Sequence, residues 1–178
     1  GMLCYQLSQI KQQLGSDVLF IAGDRAKEIH SSTLKVFENY LGTTKTSLAV
    51  KKARLVFSQF DNDKASTALL PTKWPLENTD FTISNHANVY AREKLDIGAR
   101  YFLQNLPKVN ADSKVIDLGC GNGVIGLSVL SKQPEAHVHF IDESFMAIAS
   151  AEANIAENLP AVSQQCVFQV NDCLTSVE

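Results

Sequence analysis

Tryptophan, methionine and proline are scarce in this 178-residue chain, at one, two and five copies, and its four cysteines form no C-x-x-C pair. So little proline beside only nine glycines excludes a collagen-like or proline-rich linker protein. Cys4, Cys120, Cys166 and Cys173 are too scattered for a disulfide framework or a cysteine zinc site, and read as reduced thiols of a cytoplasmic protein. His137 and His139 share a strand face without a clustered third ligand, so no metal is expected. No apolar run approaches the ~20 residues that cross a bilayer. The start, Gly1-Met2-Leu3-Cys4, lacks a basic segment leading into an apolar core, so neither membrane insertion nor export is expected, and Gly1 reads as a tag remnant. Repeats, low-complexity tracts and heptads are also missing.

What remains is 45% hydrophobic and 20% charged, enough for a core and suited in length to one or two domains. The most informative stretch is Val115-Ile116-Asp117-Leu118-Gly119-Cys120-Gly121-Asn122-Gly123-Val124-Ile125-Gly126. A short apolar run meets an acid, then glycines at alternate positions, then apolar residues at helical spacing. A strand turns sharply into a helix beside a ligand in this way, because glycine accepts φ > 0 and lets backbone N–H groups approach a bound molecule. A second strand, His137 to Ile141, ends at Asp142, and the Ala-rich segment Glu143 to Asn158 favours helix and stops before Pro160. A third strand, Cys166 to Val170, is followed by Asn171-Asp172. Acids therefore fall at three successive strand ends. Taken singly, Asp142 reads equally as a helix N-cap and Asn-Asp as a plain turn.

Two cofactor classes compete for this turn. Gly121 to Gly126 satisfies G-x-G-x-x-G, the dinucleotide fingerprint, with Asp142 as the later acid. The full run is D-x-G-x-G-x-G, with Asp117 interrupting the apolar approach, and it resembles motif I of the S-adenosylmethionine methyltransferases. The stretches Ala49 to Leu55, Asn85-His86-Ala87-Asn88-Val89 and Leu95-Asp96-Ile97-Gly98-Ala99-Arg100 narrow the resemblance. With the glycine turn they look like the ribosomal RNA guanine-N2 methyltransferase family, and most like its large-subunit branch.

That resemblance implies an α/β, Rossmann-like methyltransferase fold with S-adenosylmethionine as cofactor and ribosomal RNA as partner. It places Asp117, Gly119, Cys120, Gly121 and Asn122 at the methionine part, Asp142 and Glu143 at the ribose, and Asp172 at the adenine amino group. Asp96 and Arg100 become pocket candidates, although as bare sequence Asp96 is merely a favourable helix start. The family has two methyltransferase-like domains in tandem, the first degenerate. Residues 1–70 would then be the C-terminal part of the degenerate domain and residues 71–178 a β-α-β-α-β beginning of the catalytic one. The family also carries an Asn-Pro-Pro-aromatic tetrad that aligns the substrate amine. No Asn-Pro-Pro occurs anywhere in this chain, so no catalytic residue is assigned and the chain alone is expected to be inactive. The missing fourth strand would leave an apolar edge, to be covered by the N-terminal part, a second copy, or the rest of a longer protein. A non-catalytic RNA-binding or assembly module with a relic pocket is the alternative of another class; a nicotinamide oxidoreductase stands third.

Charge divides unevenly. Residues 1–75 hold ten Lys/Arg against six Asp/Glu, and residues 76–178 six against thirteen, so a net +4 precedes a net −7. Lys51, Lys52 and Arg54 lie in a β-branched, extended-looking segment, with Lys52 and Arg54 on one face by the two-residue period. Such clusters suit phosphate contacts, and equally a solvated strand face. The remaining expectations are helices over residues 2–14, Arg25 to Leu41 and Leu95 to Leu106, and a strand from Asp17 to Ala22. Hairpins are expected over Thr44 to Phe60 and Trp74 to Val89, with a polar linker at Asp61 to Thr67.

Overall fold

Apolar alternation in the first third of the chain builds an antiparallel sheet in the computed structural model, which describes residues 1–14, 18–64 and 70–175. Strands β1 (Leu19–Arg25), β2 (Thr44–Thr46) and β3 (Ala53–Gln59) run in the order β1-β3-β2. One face turns Phe20, Ala22 and Val56 towards Leu7 of α1 (Met2–Gln13) and Phe37 of α2 (Ser31–Tyr40), with Leu41 and Phe60 completing a small core. Leu19, Ile21 and Leu55, on the other face, are about half exposed.

Three expectations for this region change. Lys51 and Lys52 do not lie in a strand: Val50 and Ala53 exchange two 2.9 Å backbone bonds around them, and both have positive φ, 48° and 67°. A two-residue reversal takes left-handed residues because their twist matches that of the paired strands. Lys52 and Arg54 therefore share no strand face. The helix expected from Arg25 begins at Ser31, because β3 pairs with β1 as far as Arg25↔Ala53 and Ala26 N–H donates to the Lys52 carbonyl at 2.7 Å. Asp17 of the expected strand, and residues 65–67 of the expected linker, lie outside the described residues.

The chain divides into two units, Gly1–Leu69 and Leu70–Glu178. The second opens with a hairpin, β4 (Thr72–Pro75) and β5 (Thr82–Asn85), followed by α3 (Ile97–Gln104). Then come β6 (Lys114–Leu118), α4 (Val124–Lys132), β7 (His137–Asp142), α5 (Phe145–Asn158), a 3₁₀ turn (Pro160–Gln165) and β8 (Cys166–Val170). The three strands are parallel in the order β6-β7-β8, as helical crossovers require. Leu127, Leu130, Phe140 and Ile155 are fully buried between sheet and helices, and the rings of Phe140 and Phe168 stack at 4.9 Å. Gly126 admits the Phe140 ring, since a Cβ there would stand 2.3 Å from it.

The free edge of β5 is satisfied by side chains of α5 at helical spacing. Asn158 exchanges two bonds with the Thr82 backbone (2.9 and 3.0 Å), Asn154 two with Ser84 (2.7 and 2.9 Å), and Ser150 accepts from His86 N–H at 3.0 Å. One helix face thus takes the place of a neighbouring strand.

Candidate functional site

The three glycines of the turn after β6 have positive φ, 68° at Gly119, 55° at Gly121 and 75° at Gly123. At Gly119 and Gly121 nothing lies within 4 Å of where a Cβ would stand, so both face open space. That space is a cleft of about 400 Å³ at the carboxyl ends of the parallel strands. In open α/β sheets this end is where ligands bind.

The structure brings Asp117, Gly119, Cys120, Gly121, Asn122, Asp142 and Glu143 together on the wall of this one cleft. Asp172 is exposed after β8 and is not among the residues that line the cleft: Asn171 N–H bonds the Asp142 carbonyl at 3.0 Å and the chain then turns, Thr175 N–H donating to the Asp172 carbonyl. Arg100 also lies outside it. Its guanidinium grips Glu77 with two bonds, 2.8 and 2.7 Å, beside a separate cavity of about 220 Å³. Asp96 does line the cleft, where it caps α3 by accepting from Ala99 N–H at 3.0 Å and from the Tyr90 hydroxyl at 3.0 Å. Those two donors hold its carboxyl below the usual range.

The strand-end acids also build the turn. Asp142 accepts from Gly121 N–H and Ser144 N–H, both at 2.9 Å, tying the end of β7 to the glycine turn. It is not the cap of α5, a role that Ser144 takes by accepting from Ala147 N–H at 3.3 Å. Asp117 accepts from Gly126 N–H at 2.9 Å. Burial pushes its carboxyl up to about 6, with the Asp142 charge adding to the rise and the Gly126 bond opposing it. Burial likewise raises the Cys120 thiol, so it stays protonated and is no nucleophile.

Among the described residues four carboxylates line the cleft, from Asp96, Asp117, Asp142 and Glu143, and no lysine or arginine does. A cationic or neutral polar ligand is favoured there and a diphosphate is disfavoured. The cleft is further lined by Trp74, Asn88, Val89, Tyr90, Ala91 and Leu95, of which Asn88-Val89 and Leu95 lie in stretches that gave a sequence signal. Trp74 donates its indole N–H to the Arg92 carbonyl at 3.1 Å. Tyr90 and Ala91 follow no period or motif that sequence reasoning could use. Among the described residues no group of three or more His, Cys, Asp or Glu is placed to hold a metal ion, and no helix is long and apolar enough to cross a membrane.

Comparison with known proteins agrees with this geometry. The family description "RLMG N-terminal domain" matches residues 1–62. The ribosomal RNA large subunit methyltransferase G of Colwellia psychrerythraea is 65% identical over 100% of this chain and 47% of its own length. That of Pseudoalteromonas translucida is 51% identical, over 100% and 46%. The chain therefore spans about half the length of the curated relatives it matches. A T. thermophilus 16S rRNA N2 methyltransferase (RsmC), solved with AdoMet and guanosine, superposes with a TM-score of 0.79 over 99% of this chain and 48% of its own, at 15% identity. At that identity the likeness establishes the fold, an α/β, Rossmann-like methyltransferase fold. The description "Methyltransferase small domain" matches residues 80–178, a span that holds the glycine turn, the strand-end acids Asp117 and Asp142 and most of the cleft, and the chain belongs to that family.

Proposed function

We propose that this chain carries the S-adenosylmethionine-binding half of a cytoplasmic methyltransferase that modifies guanine N2 in large-subunit ribosomal RNA. Residues 1–70 then belong to a degenerate methyltransferase-like domain that meets the RNA. The observation that carries this reading is the acidic cleft floored by Gly119 and Gly121, a cradle that any side chain there would fill. It suits a cationic nucleoside and opposes the diphosphate of a nicotinamide dinucleotide. The names of the relatives support the same chemistry.

When bound, S-adenosylmethionine supplies a methyl group on a cationic sulfur. Asp142 keeps lone pairs beyond those used by Gly121 and Ser144, and these accept from ribose hydroxyls, with Glu143 beside it. Asp117, fixed by Gly126, offers a carboxylate to the ammonium end. Lys51 and Lys52, at the exposed hairpin tip, contact phosphates, with Arg54 behind them on β3. Asn-Pro-Pro is not found in these residues, so they bind without transferring the methyl on their own.

Calorimetric titration tests the reading. S-adenosylhomocysteine should bind and NAD should not, and Asp142→Ala should weaken binding by about 1.5–3 kcal/mol per missing charged hydrogen bond. Equal affinity of wild type and Asp142→Ala, or preference for NAD, overturns it.

A further inference from the structure

We propose that Asn85, on the hairpin strand β5, is a positioning residue for the glycine turn: its side-chain oxygen, acting through Asn122, sets the backbone that a ligand in the cleft meets. The inference rests on the cofactor reading above for its consequence in binding, and on geometry alone for its effect on the turn. Asn122 stands between Gly121 and Gly123, two residues of high intrinsic freedom, so the turn needs restraint from outside itself. Restraint converges on Asn122. Its Nδ2 donates to Asn85 Oδ1 at 2.9 Å, its Oδ1 accepts from Val124 N–H at 3.2 Å, and its carbonyl accepts from Asn154 Nδ2 at 2.9 Å.

These amides are shielded from water: Asn85 and Asn154 are 0% exposed and Asn122 is 6%. No solvent competes for the bonds, which makes each of them firm and each break costly. Asn85 Nδ2 is buried with no partner in the structure, so the residue costs desolvation that an apolar side chain would avoid. The oxygen is what the site uses. Asn122 lines the cleft while Asn85 does not, so Asn85 acts only through its neighbour. A turn left free to wander must be ordered when ligand binds, and affinity falls by that cost.

The test compares Asn85→Ala, which removes the Asn85–Asn122 bond, and Asn122→Ala, which removes that bond together with the one from Val124 N–H, with Asn158→Ala. Asn158 ties the same hairpin to the same helix but does not touch Asn122. In the ligand-free 178-residue chain, amide hydrogen exchange over residues 119–124, referenced to β7 and β8, should speed up in the first two variants and not in the third. Dissociation constants for S-adenosylhomocysteine should rise about tenfold in Asn85→Ala, the worth of one buried hydrogen bond, and at least as much in Asn122→Ala, with the double variant no worse than Asn122→Ala alone. Asn158→Ala should lower the melting temperature and leave affinity unchanged. Unaltered exchange in Asn85→Ala overturns the proposal, as does equal loss of affinity in Asn158→Ala. If wild type fails to bind S-adenosylhomocysteine the cofactor reading falls, and the exchange data still decide the role of Asn85. Should Asn85→Ala not fold, Asn85→Leu, which fills the same space without the oxygen, decides it.

Discussion

Asp117 shows at the scale of one residue how the cleft joins stability to binding. Its folded carboxyl titrates at about 6, above the ordinary 3.8, because burial disfavours the charge. Its contribution to stability is therefore full below pH 3.8 and is lost as pH rises through about 6. The ammonium end of the ligand pairs with the ionised form, so affinity for S-adenosylhomocysteine should rise over the same window while the ligand-free protein loses stability. Titrations and thermal melts at several pH values should show the opposed trends, and Asp117→Asn should flatten both. Two glycines make a second contrast. Gly126→Ala drives a Cβ to 2.3 Å from Phe140 and should lower the denaturant midpoint. The cost of overpacking is about 1–3 kcal/mol. Gly121→Ala meets open space but keeps a φ of 55°, so its stability loss should be smaller, about 1–2 kcal/mol, and its loss of ligand binding larger. The D-x-G-x-G-x-G run announced the floor of the cleft because glycine and buried acid are local needs of a tight strand-to-helix turn. Asn85, Tyr90 and Ala91 could not be read in this way, since what places them is pairing with a distant helix or packing across the cleft.

Among the elements, the Lys51-Lys52 turn places two successive non-glycine residues in the left-handed region. Two side-chain-bearing residues sit at φ 48° and 67°, where asparagine and glycine are favoured. Lys51→Asn combined with Lys52→Gly should stabilise the first unit by about 1–2 kcal/mol by relieving left-handed strain. The same double substitution should weaken RNA binding and reduce the slope of log K against log salt by roughly 0.7–0.9 for each phosphate no longer neutralised. Filter binding over a salt series checks the second part, and an unchanged slope would place the RNA surface elsewhere. The sequence signalled a hairpin here but not its tip, because the lysines carry no turn signature and only the pairing of Val50 with Ala53 forces the reversal. Helix α2 starts later than its own residues suggest for a related reason, since pairing with β3 claims positions that local propensity would give to helix. The parallel strands were legible because buried apolar runs alternated with helix-length segments.

Across the whole molecule, both units leave part of a sheet uncovered. Among the described strands β6 pairs on one side only, and Ile116 and Leu118 on its outer face are 49% and 51% exposed. An open apolar edge of this kind recruits other strands. Sedimentation velocity over a range of concentrations should show self-association, and Ile116→Lys should reduce it; a monomer at every concentration would count against pairing through β6. Trp74 has one more use. It is the only tryptophan in the chain and it forms part of the cleft wall, with its indole N–H tied to Arg92. Tryptophan emission therefore comes from a single indole at the site itself, and any occupant that displaces water from that wall reports its own arrival without a label.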